Sequence, residues 1–172
     1  MLVEIATYSP INPPKFPIFK VAKVEIQGNN LIFHIKPSGS IEINLKAIID
    51  VTPLTLNFFK PPRKAILIRL TNFNVLVTIG KNPLAYERDS LLRFVSMLYS
   101  TLLGGVIVNY EGKPGTLRIV RRSNGMYDLA LVTESKVISI SDWRKIENYE
   151  VSRRVKELLE LLEFLGEEEQ EE

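Results

Sequence analysis

Two groups of basic side chains are the residues whose type and spacing point most directly to chemistry. The candidates are Lys60, Arg63 and Lys64 in one segment, and Arg118, Arg121 and Arg122 in another. Converging ammonium and guanidinium groups bind phosphate, an anionic headgroup or an acidic protein face. The competing interpretation is a solvated basic surface, because isolated surface charges contribute little energy. We predict that the two groups form binding surfaces.

The surroundings of these groups favour interaction over catalysis. In the first group, Phe58 and Phe59 precede the charges, and two prolines stiffen the segment. Trp143 lies between Asp142 and Arg144, as an aromatic that anchors an interface would. Packing between the neighbouring strands and the last helix is the other interpretation of this tryptophan. We count Trp143 as a third candidate for binding.

Side chains that could perform catalysis are few and scattered. The chain has no cysteine, and His34 is its single histidine. Asp50, Asp89, Asp128 and Asp142 show no spacing that would pair a general acid with a base. The motifs GxGxxG, GxxxxGK[ST], HExxH and GxSxG do not occur. We therefore predict that the protein is not an enzyme and holds no cofactor or metal. We predict that His34 lies in a strand and bonds to a neighbouring side chain.

Composition and charge distribution indicate a folded protein with an acidic partner. The chain has 172 residues, of which 45% are hydrophobic and 24% charged, as in globular proteins. Five of the 20 acidic residues lie in segment 167–172, so the rest of the chain carries 22 basic and 15 acidic residues. A basic body attracts acidic partners, or the tail folds back and screens it. We predict that the tail is disordered.

The sequence also predicts where the protein works. No apolar run reaches the length of a membrane span, and the N-terminus lacks the pattern of a signal peptide. We therefore expect a cytoplasmic protein. The absence of cysteine and the abundance of isoleucine, lysine and glutamate are typical of hyperthermophile proteins, which suggests a thermophilic, archaeal source.

Alternating apolar residues and turn signals predict eight short strand segments before residue 80, which make about seven strands. They cover 2–7, 18–27, 31–36, 40–45, 46–51, 54–59, 65–71 and 74–79, and the last two form a hairpin with its turn at Asn72 and Phe73. Two of the short strands flank Thr52 and Pro53. A leucine stripe then predicts a helix over 89–103, with Asp89 or Ser90 as its N-cap and Gly104 as its left-handed end.

The rest of the chain repeats the change from strands to helix. Strands are predicted over 106–110, 116–122, 126–132 and 136–140, and a helix over 152–165 with Ser152 as its cap. This last helix is apolar over more than half a turn. Its apolar surface is larger than one packing face needs. The extra surface predicts a homodimer interface, a site for a partner helix, or a helix that the β-rich units cover on both sides.

This order of elements predicts an α+β protein with antiparallel sheets. The first unit, 1–104, resembles the pleckstrin-homology-like superfold, in which two packed sheets form a partly open barrel and a helix covers one opening. A small β-meander plus helix follows over 105–166, and the acidic tail occupies 167–172.

Two segments resemble the archaeal chemotaxis adaptor family called CheF. SLLRFVSMLYSTLLGGVIVNY (90–110) resembles its passage from a helix into a short strand, and EINLKAIIDVT (42–52) resembles its strand-to-strand passage before a central hairpin. The resemblance implies an adaptor between a phosphorylated response regulator and the archaeal motility motor. It covers about a third of the chain in hydrophobic patterns and assigns no functional residue.

The sequence therefore predicts a non-catalytic interaction or adaptor protein that binds an acidic protein or an anionic ligand. The alternative is a nucleic-acid-binding protein that uses the same basic body, although the aromatic-and-arginine pattern of an RNA-recognition sheet is missing. An enzyme assembled from scattered polar residues ranks third.

Overall fold

The computed structural model describes residues 1–80 and 90–166, which form an α+β protein with antiparallel sheets. The described elements are seven strands, a helix, four strands and a helix, in the order that the sequence predicts. The chain divides into two compact units, Met1–Phe94 and the chain from Val95 onward. This division falls within the first helix, whereas we placed the boundary after it, at 104.

Seven strands of the first unit form one sheet. They are β1 (Leu2–Tyr8), β2 (Lys20–Gln27), β3 (Asn30–Ile35), β4 (Ser40–Asn44), β5 (Asp50–Leu56), β6 (Arg63–Arg69) and β7 (Asn74–Thr78). The order across the sheet is β4-β3-β2-β1-β7-β6-β5. Because β1 pairs with both β2 and β7, the predicted two packed sheets are one continuous sheet. The sheet is open, with β4 and β5 as its edges.

The core of this unit includes strand β7, which lies near the middle of the sheet. All five residues of β7 are buried, as expected for a strand covered on both faces. Helix α1 (Ser90–Leu102) begins in this unit, and its Phe94 packs on Phe33 of β3 with ring centroids 6.1 Å apart. The start of the leucine-striped helix therefore packs against the preceding sheet.

The region between β4 and β5 differs from the sequence prediction. We expected a strand over 46–51, but Leu45–Ala47 form a 3-10 helix whose first turn is capped by the Asn44 side chain. The two strands predicted around Pro53 are one strand, β5. A proline is compatible with β5 because an edge strand leaves one row of backbone groups unpaired.

Both predicted ends of α1 involve specific residues, and the C-terminal end is the one for which the structure describes every predicted residue. Asp89, one of the two predicted caps, lies outside the described residues. At the other end, Gly105 rather than Gly104 has the left-handed backbone, with φ of 74°. Gly104 is needed for a different reason, because a Cβ there would lie 2.5 Å from the Ser100 carbonyl oxygen.

The second unit contains the predicted four-stranded meander. Its strands are β8 (Ile107–Tyr110), β9 (Lys113–Arg121), β10 (Tyr127–Val132) and β11 (Val137–Ser139), in the order β11-β10-β9-β8. Strand β9 begins earlier than the predicted 116, because Glu111 and Gly112, both with positive φ, complete the turn in two residues. A 3-10 helix, Trp143–Lys145, follows the sheet.

Helix α2 (Tyr149–Gly166) begins three residues before the predicted start. The side chain of Asn148 caps it by accepting the Val151 N–H at 3.1 Å. Ser152, the predicted cap, lies inside the helix and donates its hydroxyl to the Trp143 carbonyl at 2.7 Å. Most of the leucines that made this helix look apolar on more than one face, including Leu158, Leu161 and Leu162, are buried in the single chain. The homodimer stays a prediction, and the tail 167–172 lies outside the described residues.

A buried polar network lies inside the second unit. The Tyr99 hydroxyl donates to the Glu157 carboxylate at 2.5 Å, and Arg154 donates to the same oxygen at 2.9 Å. Burial, aided by this carboxylate, raises the pKa of Tyr99 well above its usual 10.0. Tyr99 therefore stays protonated and serves as a hydrogen-bond donor.

Neither α1 nor α2, the two α-helices among the described residues, is long and apolar enough to cross a bilayer.

Candidate functional site

The first basic group lies beside a cluster of four aromatic rings, Phe16, Phe19, Phe58 and Phe59. Phe58 contacts Phe59 with centroids 4.8 Å apart and Phe16 edge-on at 6.0 Å, while Phe19 lies 5.7 Å from Phe59. Phe19 and Phe59 pack against the buried residues beneath the loop, which anchors the cluster. The two outer rings face solvent, with Phe16 62% and Phe58 39% exposed.

Arg63 is held by the protein itself. Its guanidinium lies over the Phe59 ring, 3.9 Å from the centroid, and forms an ion pair with Glu4 at 3.0 Å. Both partners of the pair are largely buried. Arg63 therefore stabilises the loop, and the more outward charge of the predicted group belongs to Lys60, which is exposed, while Lys64 is half-buried.

Two loops bring positive charge around the outer rings. Segments 9–20 and 57–64 together contain five basic residues and no acidic residue. The Lys15 ammonium lies 5.7 Å from the Phe16 ring centroid, within the range of a cation–π contact. A groove of about 350 Å³ runs beside Phe16 and is also lined by Ile18 and Lys20. We call Lys15, Phe16, Ile18, Lys20, Phe58 and Lys60 the basic aromatic surface.

The arginines of the second group do not converge. Arg122 forms an ion pair with Asp128, and Arg121 lies over the Tyr127 ring at 5.6 Å. Because side chains alternate along a strand, Arg118 is on the opposite face of β9 from Arg121. The structure therefore separates three guanidinium groups that lie close together in the sequence.

Trp143 is half-buried in the second unit, and two cations lie close to its ring. The Lys156 ammonium of α2 lies 5.2 Å from its ring and the Arg144 guanidinium lies 4.9 Å away. The Ser152 hydroxyl binds its carbonyl oxygen. These contacts join Trp143 to the start of α2, and its role in binding stays a prediction.

His34 forms the neighbour contact that the sequence predicted. Its Nε2 lies 2.8 Å from Glu25 Oε1 on the adjacent strand, and this hydrogen bond lowers the pKa of Glu25 below its usual 4.5. Both side chains are substantially exposed. Across residues 1–80 and 90–166, no group of three or more acidic or histidine side chains is arranged to hold a metal ion.

Sequence reasoning missed Lys15, Phe16, Ile18 and Lys20 as members of a surface. We predicted strands over 2–7 and 18–27 and gave no role to the proline-rich residues between them, whereas the fold places Phe16 and Phe19 against Phe58 of the loop after β5. The available signal was the recurrence of phenylalanine next to lysine in two acid-free segments. No protein-family model matches the chain, and no curated protein matches it.

Proposed function

We propose that this protein is a non-catalytic interaction protein whose first unit binds an acidic segment of a partner protein through the basic aromatic surface. The observation that carries the proposal is the exposure of Phe16 and Phe58 in contact with each other, inside two loops whose charges are all positive. Exposed apolar groups bordered by charge mark interaction sites. Positive charge selects an acidic partner.

The arrangement suits binding energetically. The inner rings Phe19 and Phe59 are fixed on the core, so the outer rings are positioned before a partner arrives. Aromatic anchors of this kind supply much of the energy in protein interfaces, because they bury a large area with little loss of conformational freedom. The surrounding lysines add attraction at longer range and speed association.

The fold supports an adaptor role within the same proposal. Two runs of sequential strands, β1–β4 and β5–β7, joined by the pairing of β1 with β7 and followed by a helix, have the element order expected of a pleckstrin-homology-like module. The segment 90–110, which resembles the CheF family, contains α1 and β8. We propose an adaptor of archaeal taxis signalling in the cytoplasm as the setting for this binding surface.

Selection from a random displayed-peptide library tests the proposal. We expect the wild-type protein to enrich peptides rich in Asp and Glu that contain one aromatic or large aliphatic residue. The triple variant Lys15→Glu, Phe16→Ala, Lys60→Glu should bind these peptides about a hundredfold more weakly, since it removes one anchor and reverses two charges. Fluorescence anisotropy of a labelled peptide measures the loss.

A matched control separates this surface from the overall charge of the unit. The double variant Lys23→Glu, Lys46→Glu reverses two exposed lysines of the same unit outside the surface, and it should retain wild-type affinity. Equal affinity of the triple variant and the wild type would overturn the proposal. If the protein binds random duplex DNA more tightly than the acidic peptides, and its affinity for DNA falls steeply as salt is added, the nucleic-acid alternative would replace the proposal.

A further inference from the structure

The outward face of the second sheet carries an apolar row that crosses all four strands. Ile107 pairs with Thr116, Thr116 with Val132, and Val132 with Val137, so these four side chains point to the same face. The opposite face carries Leu117, Leu129 and Leu131, which are buried. Ile107 and Val137 are 74% and 65% exposed, so the row is open to solvent.

An open pocket of about 630 Å³ lies over this row, a volume typical of small-molecule sites. Ile107, Thr116 and Val132 belong to its lining. Strands β9 and β10 approach closely beside it, and a Cβ on Gly115 would lie 2.6 Å from the Val132 carbonyl oxygen. The floor of the pocket is therefore regular sheet whose geometry depends on this glycine.

One wall of the pocket is a turn fixed by its own hydrogen bonds. Thr133 Oγ1 accepts the N–H of Lys136 at 3.1 Å and donates to the Lys136 carbonyl at 3.0 Å. The same oxygen accepts the N–H of Ser135 at 3.4 Å. The turn thus holds Ser135 and Lys136 at the pocket, while the opposite wall is the start of β9.

Two lysine side chains line this pocket. Lys113 comes from the start of β9 and Lys136 from the turn, and Lys113 lies close enough to lower the pKa of Lys136. Glu134 is the one acidic residue of the lining. Two ammonium groups near each other repel. A doubly charged anion that binds between them attracts both and forms a charge-assisted hydrogen bond with each.

We propose that this pocket binds the phosphate monoester of a small, partly apolar molecule. The phosphoryl group lies between Lys113 and Lys136, within reach of the hydroxyl groups of the lining, and the apolar part covers Ile107 and Val132. The anion matches the paired lysines, and the apolar part matches the exposed aliphatic row. This site is separate from the peptide-binding surface proposed for the first unit and does not depend on it.

Isothermal titration with phenyl phosphate, inorganic phosphate and benzyl alcohol tests the proposal. We expect phenyl phosphate to bind about tenfold more tightly than inorganic phosphate, because it adds apolar contact, and benzyl alcohol not to bind. The double variant Lys113→Met, Lys136→Met should lose phenyl phosphate binding by at least about tenfold. Lys23→Met, Lys46→Met is the matched control and should bind as the wild type does.

A second pair of measurements identifies the source of the phosphate group and guards against misfolding. Vesicles containing phosphatidic acid present the same group on a lipid. Co-sedimentation of the protein with these vesicles that depends on the two lysines would place the ligand in a membrane. Binding of phenyl phosphate without co-sedimentation would place the ligand among soluble compounds. Ile107→Ala should weaken phenyl phosphate but leave inorganic phosphate unchanged. Absence of saturable binding to both probes, or equal binding by the lysine variant when its circular dichroism is unchanged, would overturn the proposal.

Discussion

The two units of this protein place their charged side chains differently. In the first, the ion pair of Arg63 with Glu4 is largely buried, and Lys15 lies beside the exposed Phe16 ring. In the second, Glu157 is buried with Tyr99, while Lys113 and Lys136 line an open pocket. The number of charges in a segment therefore does not locate a binding site. The position of those charges in the folded structure does.

The buried network of the second unit should give the largest effect on stability. Replacing Glu157 with Ala leaves the Tyr99 hydroxyl without its acceptor and Arg154 without its carboxylate. We expect the free energy of unfolding to fall by about 3 to 5 kcal/mol, as when a buried ion pair loses one partner. Urea unfolding followed by circular dichroism measures the loss. Glu160→Ala, an exposed change in the same helix, should cost less than about 0.5 kcal/mol, and equal losses in the two variants would contradict the network.

The surface pairs of the first unit should give an intermediate effect. Arg63→Ala removes a partly buried ion pair and the contact with Phe59, and we expect a loss of about 2 kcal/mol. Arg69→Ala, on the same strand, removes a more exposed pair with Asp50 and should cost less than about 1 kcal/mol. The same denaturant measurement compares them. An Arg69 variant as unstable as the Arg63 variant would show that burial does not separate the two pairs.

The titration of Tyr99 should give the smallest effect, confined to alkaline solution. Its pKa is raised in the folded state, so above pH 10 the unfolded chain loses this proton while the folded protein keeps it. Stability due to this group is therefore complete below pH 10 and declines as the pH rises towards the folded pKa. Unfolding measured at several alkaline pH values should decline less steeply for Tyr99→Phe. Identical slopes would contradict the raised pKa.

Much of the fold was predictable because the spacing of apolar residues along the sequence differs between strands and helices. Alternation identified most strands, and the spacing of leucines identified both helices. The errors arose where tertiary position overrides local pattern. Pro53 suggested a break, but β5 is an edge strand and tolerates it. Ser152 suggested a helix start, but Asn148 supplies the cap and Ser152 bonds to Trp143.

The candidate sites were only partly predictable, since proximity in the sequence is a poor guide to convergence. Arg118, Arg121 and Arg122 are close in the chain, yet alternation places Arg118 and Arg121 on opposite faces. Lys113 and Lys136 are far apart in the chain, yet the pairing of β9 with β10 brings them to one pocket. A single sequence does not contain that register in readable form.

A crossed binding experiment tests the central claim, that each unit has its own binding site. The enriched acidic peptide and phenyl phosphate are titrated into two variants, Lys15→Glu, Phe16→Ala, Lys60→Glu and Lys113→Met, Lys136→Met. We predict that the first variant loses the peptide and keeps phenyl phosphate, and that the second loses phenyl phosphate and keeps the peptide. Wild-type affinity of both variants for both ligands would contradict the account.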